Sequence, residues 1–171
     1  MYPNDVDVAV LTGWSTYVNF TAANEAFRWE PAAIHDPTRF AGMAYGYVTI
    51  TQKESRTAGF YGGAYDTAIP VVDYAYEDIA TDGEFGSNLW LLQPSTGHNT
   101  PVMAVTGVND AIFCPSTQSA CDAALADSQQ TFPNLTRYEY YAPANTGHDL
   151  TLHYSAQTTF EKVHKFLDKW L

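Results

Sequence analysis

Lysine and arginine are scarce in this chain: 8 of them stand against 19 Asp and Glu in 171 residues, a formal net charge of −11. So few cations argue against nucleic acid as a partner, because phosphates must be neutralised by basic side chains. They equally argue against an anionic membrane surface. No apolar run approaches the roughly 20 residues of a membrane span. The opening Met1-Tyr2-Pro3-Asn4-Asp5-Val6-Asp7 is polar and acidic and lacks a basic region, so no secretory signal is read there. Cysteine is nearly absent too. The two present, Cys114 and Cys121, either close a small loop as a disulfide, which implies an oxidising compartment, or stay as buried thiols.

Apolar and aromatic residues are abundant, at 46% and 15% of the chain, which places it among globular domains with a real core. The sequons Asn19-Phe20-Thr21 and Asn134-Leu135-Thr136 mark Asn19 and Asn134 as glycosylation candidates. With the cysteine pair they lean toward a secretory-pathway ancestry, without fixing a localisation.

Three short apolar or β-rich runs read as strands: residues 6 to 12, 102 to 106 and 136 to 141. A helix is expected from Ser116 to about Gln129, with Ala120, Ala123, Ala124 and Leu125 available for its apolar face. A longer one is expected from Ser155 to Trp170, burying Phe160, Val163, Phe166, Leu167 and Trp170. Strand, long insertion, strand, helix, strand, helix implies a parallel α/β arrangement in one domain. Residues 14 to 98 differ in texture, being rich in aromatics, Gly and Ala. Asp66 to Pro70 looks like a helix entry, followed by Val72, Ala75, Tyr76 and Ile79 at helical spacing. So long an insertion between strands reads as a helical lid or cap.

The chemistry gathers in two places. Val105-Thr106-Gly107-Val108-Asn109-Asp110 sets an acid just past a strand tip, and Asn145-Thr146-Gly147-His148-Asp149-Leu150 sets a histidine in the loop after the next strand. Open parallel sheets collect functional groups at the carboxyl ends of their strands, and a histidine base needs an acid to hold its tautomer. Asp110 and His148 are therefore the candidate catalytic residues. Ser15 reads as a capping or anchoring serine, and His35-Asp36 as a turn before Pro37. Asp110, His148 and His153 were the only metal set to weigh, and no coherent ligand group supports it. Neither a metal nor another cofactor is expected.

The stretches Leu11-Thr12-Gly13-Trp14-Ser15, Thr106 to Cys114 and Asn145 to His153 together resemble the C-terminal half of fungal α/β-hydrolase-fold proteins of the serine esterase or lipase kind. The resemblance covers essentially the whole chain. It implies a partial α/β-hydrolase fold, about three parallel strands with a helical lid over residues 14–98 and a long C-terminal helix. It implies that Asp110 and His148 match the triad acid and base, and that Cys114 and Cys121 match a cysteine pair often found just after the acid. Such proteins are mostly secreted. The family's Gly-x-Ser-x-Gly nucleophile motif, however, does not occur in this sequence. Hydrolysis by the isolated chain is therefore not expected. The alternatives are acid–base chemistry by the His–Asp pair, as in a small-molecule cyclase, dehydratase or isomerase, or a non-catalytic binding or interaction module.

The ligand expected is a small apolar or aromatic, ester-like molecule, bound by Trp14, Tyr45, Tyr47, Phe60 and Tyr61, with Phe27 and Trp29 nearby; packing of the lid's own core is the competing role for these rings. A three-stranded remnant would leave its first strand with an open edge. That predicts a homo-oligomer, a complex with a missing N-terminal half, or an unstable chain.

Overall fold

Which segments pair is decided by where backbone groups are buried without water. The computed structural model describes residues 5–87, 92–135 and 137–171. In chain order the elements are β1 (Ala9–Thr12), α1 (Phe20–Ala26), β2 (Trp29–Pro31), α2 (Ala32–His35), β3 (Tyr47–Ile50), α3 (Lys53–Phe60), α4 (Ile69–Ala75), β4 (Ala80–Thr81) and α5 (Asp82–Ser87). There follow β5 (Val102–Val105), α6 (Gln118–Asp127), β6 (Tyr138–Tyr141) and α7 (Ala156–Trp170). The protein is a mixed α/β structure built on a three-stranded parallel sheet of order β1-β5-β6.

β5 is the centre of that sheet, and all four of its residues are buried. Alternate side chains of a strand face opposite sides. Ala104 accordingly packs with Cys121 and Leu125 of α6, while Met103 and Val105 pack with Phe166 of α7 and, at its margin, Val163, Leu167 and Trp170. A four-residue strand buried on both faces has to be apolar throughout, which is why Val-Met-Ala-Val is legible as one. β1 and β6 each have one edge with no strand partner among the described residues.

The α7 stripe is narrower than its sequence suggests. Phe160 is 48% exposed, while Phe166 is buried and Val163, Leu167 and Trp170 are partly buried against the sheet. In α6 the buried positions are Cys121 and Leu125, and Ala123 faces solvent. α4 starts as expected, with Pro70 in its first turn, but its apparent apolar face is turned outward: Val72 is 55% and Tyr76 79% exposed. The helix is held instead by Asp73, whose two carboxylate oxygens accept from Arg56 Nε and Nη2 at 2.5 and 2.8 Å.

Residues 14–98 are not purely helical. β2, β3 and β4 form a small antiparallel sheet, with Trp29 opposite Ile50 and Val48 opposite Ala80. Segments of two to four residues are too short to declare a period-two pattern in sequence. No helix among the described residues is long and apolar enough to cross a membrane.

The cysteines are joined: Cys114 and Cys121 form a disulfide with S–S 2.04 Å and Cα–Cα 5.0 Å, tying the loop after β5 to α6. Both sulfurs sit in the core against Ala104 and Leu125. Cross-linking so short a loop removes roughly 2–3 kcal/mol of unfolded-state entropy. Replacing both cysteines by Ala is expected to lower the urea unfolding free energy by about that much; a change below ~0.5 kcal/mol would count against a structural role.

Candidate functional site

The exits of β1 and β5 lie side by side because the strands are parallel neighbours, and one hydroxyl fastens them. Buried Thr106 Oγ1 accepts from the Trp14 N–H at 3.0 Å and donates to the Trp14 carbonyl at 2.7 Å. Four residues on, Asp110 is fully buried. Its Oδ1 accepts the backbone N–H groups of Ile112 and Phe113, both at 2.9 Å. Its Oδ2 is 2.8 Å from Nδ1 of His148. The carboxylate is thus oriented by three hydrogen bonds, and the only protonated-ring arrangement that suits it places hydrogen on Nδ1 of His148. Nε2 makes no hydrogen bond to any described residue.

The imidazole of His148 is held on three sides. Phe113 stacks on it with centroids 5.6 Å apart, and Phe60 meets it edge-on at 5.3 Å. Gly13, with φ +61°, lies against the ring; a Cβ there would come within 2.7 Å of Cε1. His148 titrates above the ordinary histidine value: burial opposes its charged form, but the hydrogen bond and charge of Asp110, with Asp149 adding, outweigh it.

The loop carrying His148 is clamped by a second histidine. His153 Nε2 accepts from the Gly147 N–H at 3.0 Å, and its Nδ1 donates to the Asp149 carbonyl at 2.7 Å. Both nitrogens are thereby committed, so His153 joins Asp110 and His148 in no ligand set. No group of three or more His, Cys, Asp or Glu among the described residues is arranged to hold a metal ion. Residues 60–65 run along the same loop. Asp149 N–H donates to the Phe60 carbonyl at 3.2 Å and Ala64 N–H to the Asn145 carbonyl at 2.8 Å. Gly147 is required there, since a Cβ would lie 2.4 Å from Gly62 N. Asp149 titrates above the usual carboxylate range, because burial raises it more than neighbouring His148 lowers it. The Tyr61 hydroxyl is held protonated by burial and by the negative charge of Asp149 beside it.

His148 lines a cavity of about 420 Å³, together with Thr12, Gly13, Trp14, Val18, Phe20, Ala23, Asn24, Phe27, Trp29, Phe85, Leu92, Ile112 and Phe113. Its volume falls within the range of small-molecule sites, and its walls are mostly apolar. Of the rings singled out from the sequence, Trp14, Phe27 and Trp29 line it. Phe60 touches His148 and lines a neighbouring cavity instead, and Tyr61 is buried against His153. Tyr45 and Tyr47, expected to bind substrate, line neither cavity: they are 73% and 42% exposed. Along β3, Val48, Thr49 and Ile50 are buried and line the neighbouring cavity, and Tyr47 is left outside. Phe20, Phe85, Ile112 and Phe113 were missed; Ile112 and Phe113 stand only two and three residues past the acid, a proximity that could have flagged them.

Ser15 is fully buried, with Oγ donating to the Phe113 carbonyl at 2.6 Å and accepting from the Tyr17 N–H at 3.1 Å; it braces the loop bearing Phe113. His35 pairs with Glu30 at 3.0 Å, and Asp36 Oδ1 accepts from Thr38 and Arg39 N–H groups in the turn across Pro37. Asn19 caps α1 through Ala22 N–H, and Asn134 Nδ2 donates to the Thr96 carbonyl; Thr136 of the second sequon lies outside the described residues. Compared with protein-family models and with curated proteins, the chain matches none.

Proposed function

We propose that this chain, of α/β-hydrolase descent, performs general acid–base chemistry on a small, flat, largely apolar molecule, with His148 as the base and Asp110 as its orienter, beneath a lid formed by residues 14–98. The observation that carries this reading is the oriented His148–Asp110 pair, 2.8 Å apart, on a cavity among whose described lining residues there is no serine or cysteine. With its Nδ1 hydrogen on Asp110, neutral His148 offers the Nε2 lone pair to a substrate C–H or O–H. Asp110 then stabilises the imidazolium, and the proton returns to another substrate atom. Isomerisation, ring closure or loss of water needs no more than this, so the absence of Gly-x-Ser-x-Gly is not a defect.

The resemblance to esterases supports a second reading, in which the pair serves a serine supplied by a polypeptide outside this chain, seated along the open edge of β1. One observation favours it: that edge has no strand partner among the described residues.

The test is 5-nitrobenzisoxazole, a flat aromatic whose ring opens when a base takes its carbon-bound proton, the N–O bond breaking to leave a nitrile and a phenolate on the one product. The chain is expected to accelerate this ring opening, and His148→Gln to lower the rate by about 10²-fold or more. A fluorophosphonate, which labels activated serines, should leave the chain unmodified. Equal rates for wild type and His148→Gln would sink the reading, and labelling of a serine in this chain would replace it with a hydrolase.

A further inference from the structure

Behind the cavity that holds His148 lies a second one of about 240 Å³. Its lining includes Val48, Ile50, Ile79 and Ala80 of the small antiparallel sheet and its approach, Arg56 and Phe60 of α3, and Phe27, Trp29 and Phe85. The last three residues line both cavities. They form a wall of touching rings: Trp29 stacks on Phe85 with centroids 4.4 Å apart and planes 18° from parallel, and Phe27 contacts both at 5.9 and 5.2 Å. Phe27 continues edge-on to Phe60 at 5.5 Å, and Phe60 to His148 at 5.3 Å. One unbroken aromatic partition therefore runs from the histidine to the surface, where Trp29 is 40% exposed.

We infer that Trp29 and Phe85 determine specificity by length: they close the far end of the reaction cavity and confine the ligand to a compact aromatic molecule with a short apolar arm. The inference rests on the proposed function for the identity of the reacting end. A ring next to His148 is sandwiched by Phe113, Phe27 and Trp14, and an arm directed away from the histidine meets the Trp29–Phe85 stack. Beyond the stack the smaller cavity offers Val48, Ile50, Ile79 and Ala80, an apolar bed flanked by Thr49 and Asp78. Its polar members are already engaged: Arg56 grips Asp73 with two nitrogens, the Thr49 hydroxyl donates to the Asp78 carbonyl, and exposed Asp78 accepts from the Ile79 N–H through Oδ1, so what the chamber would accept on joining is hydrocarbon. Truncating either ring of the stack joins the two spaces. Phe27 is the weaker lever, because it also packs on Phe60, the ring that touches His148.

The experiment measures dissociation constants of para-alkylphenols of increasing chain length by calorimetry, with the His148 Cε1–H resonance followed in the same samples. In the wild-type chain, affinity should rise about four-fold per methylene, the ~0.8 kcal/mol of a buried CH₂, and then stop rising at a defined length. Trp29→Ala and, independently, Phe85→Ala should extend the rise by further methylenes, while Tyr45→Ala, at an exposed ring that lines neither cavity, should leave the break where it was. A break at the same length in both wall variants would overturn the inference, as would no binding of any phenol or an equal extension in Tyr45→Ala. The histidine resonance separates the two claims. Phenols that bind with an extended series but leave His148 unmoved preserve the partition and overturn the proposed function. Phenols that move His148 while the break stays fixed do the reverse.

Discussion

Asp110→Asn lowers the titration midpoint of His148, brings it to or below the ordinary histidine value near 6.5, and cuts proton-abstraction activity by about 10²–10⁴-fold. In the native chain burial disfavours the imidazolium, and the hydrogen bond and charge of Asp110 more than compensate. Asparagine keeps an oxygen to accept the Ile112 and Phe113 N–H groups at the Oδ1 position, so the loop retains its shape. The atom then facing His148 is an amide nitrogen, a donor. It cannot accept the Nδ1 hydrogen, so the ring takes the other tautomer and Nε2 loses the lone pair that abstracts protons.

The sign of the pH effects follows. Because the folded value of His148 lies above its unfolded one, its contribution to stability is fully present below about pH 6.5 and is lost as pH rises through the folded value. Activity runs the opposite way, rising with pH through that same folded value, since the base must be neutral. Histidine Cε1–H titrations of wild type and Asp110→Asn test this. An unchanged midpoint would mean that Asp110 does not govern the ring.

Gly13→Ala is expected to be comparably damaging to activity, although the added group is one methyl. Two effects coincide at this position. With φ at +61°, any side chain costs ~1–2 kcal/mol in the left-handed region. The new Cβ would also stand 2.7 Å from Cε1 and 3.0 Å from Nδ1 of His148, while Phe113 and Phe60 occupy neighbouring sides of the ring. The imidazole must leave its hydrogen bond to Asp110, and a displacement of about an ångström there costs on the order of 10²-fold in rate. Gly42→Ala supplies the control: its φ is +78°, but nothing lies within 4 Å of its added Cβ. Gly42→Ala should lose stability alone, whereas Gly13→Ala should lose stability, rate and the native His148 midpoint. If the two variants behaved alike, collision with the ring would play no part.

The parallel sheet was legible because its central strand is buried on both faces and so must be spelled Val-Met-Ala-Val. The Asp110–His148 pairing was legible for a related reason, since parallel neighbours bring the loops after β5 and β6 together whatever lies between them. What stayed hidden depends on partners that sequence does not place. Val72 and Tyr76 keep helical spacing but face water, and α4 is tied to α3 by the Arg56–Asp73 pair instead. Tyr45 and Tyr47 had the right chemistry for a ligand wall and the wrong orientation. The sequence sets His153 aside as a metal ligand and assigns it no other role, yet it binds the backbone on both sides of His148, a function with no motif. Gly13 was legible as part of the Leu11-Thr12-Gly13-Trp14-Ser15 stretch, but not its contact with His148, because its importance lies in an atom it does not have.

The Thr106 hydroxyl that fastens Trp14 joins residues 92 positions apart. That single separation has a kinetic meaning. β1 reaches β5 only by closing a loop that contains the entire intervening segment, and the same closure sets β1 beside its partner before any neighbouring hydrogen bond can reward it. The entropy of closure grows only logarithmically, about 0.6 kcal/mol per doubling of length, so lengthening that segment costs little stability. The rate is another matter, because long-range parallel pairing is slow. The pair formed by β5 and β6 has only α6 and its flanking turns to bring round, so it is expected to form first, with β1 and Gly13 completing the site afterwards.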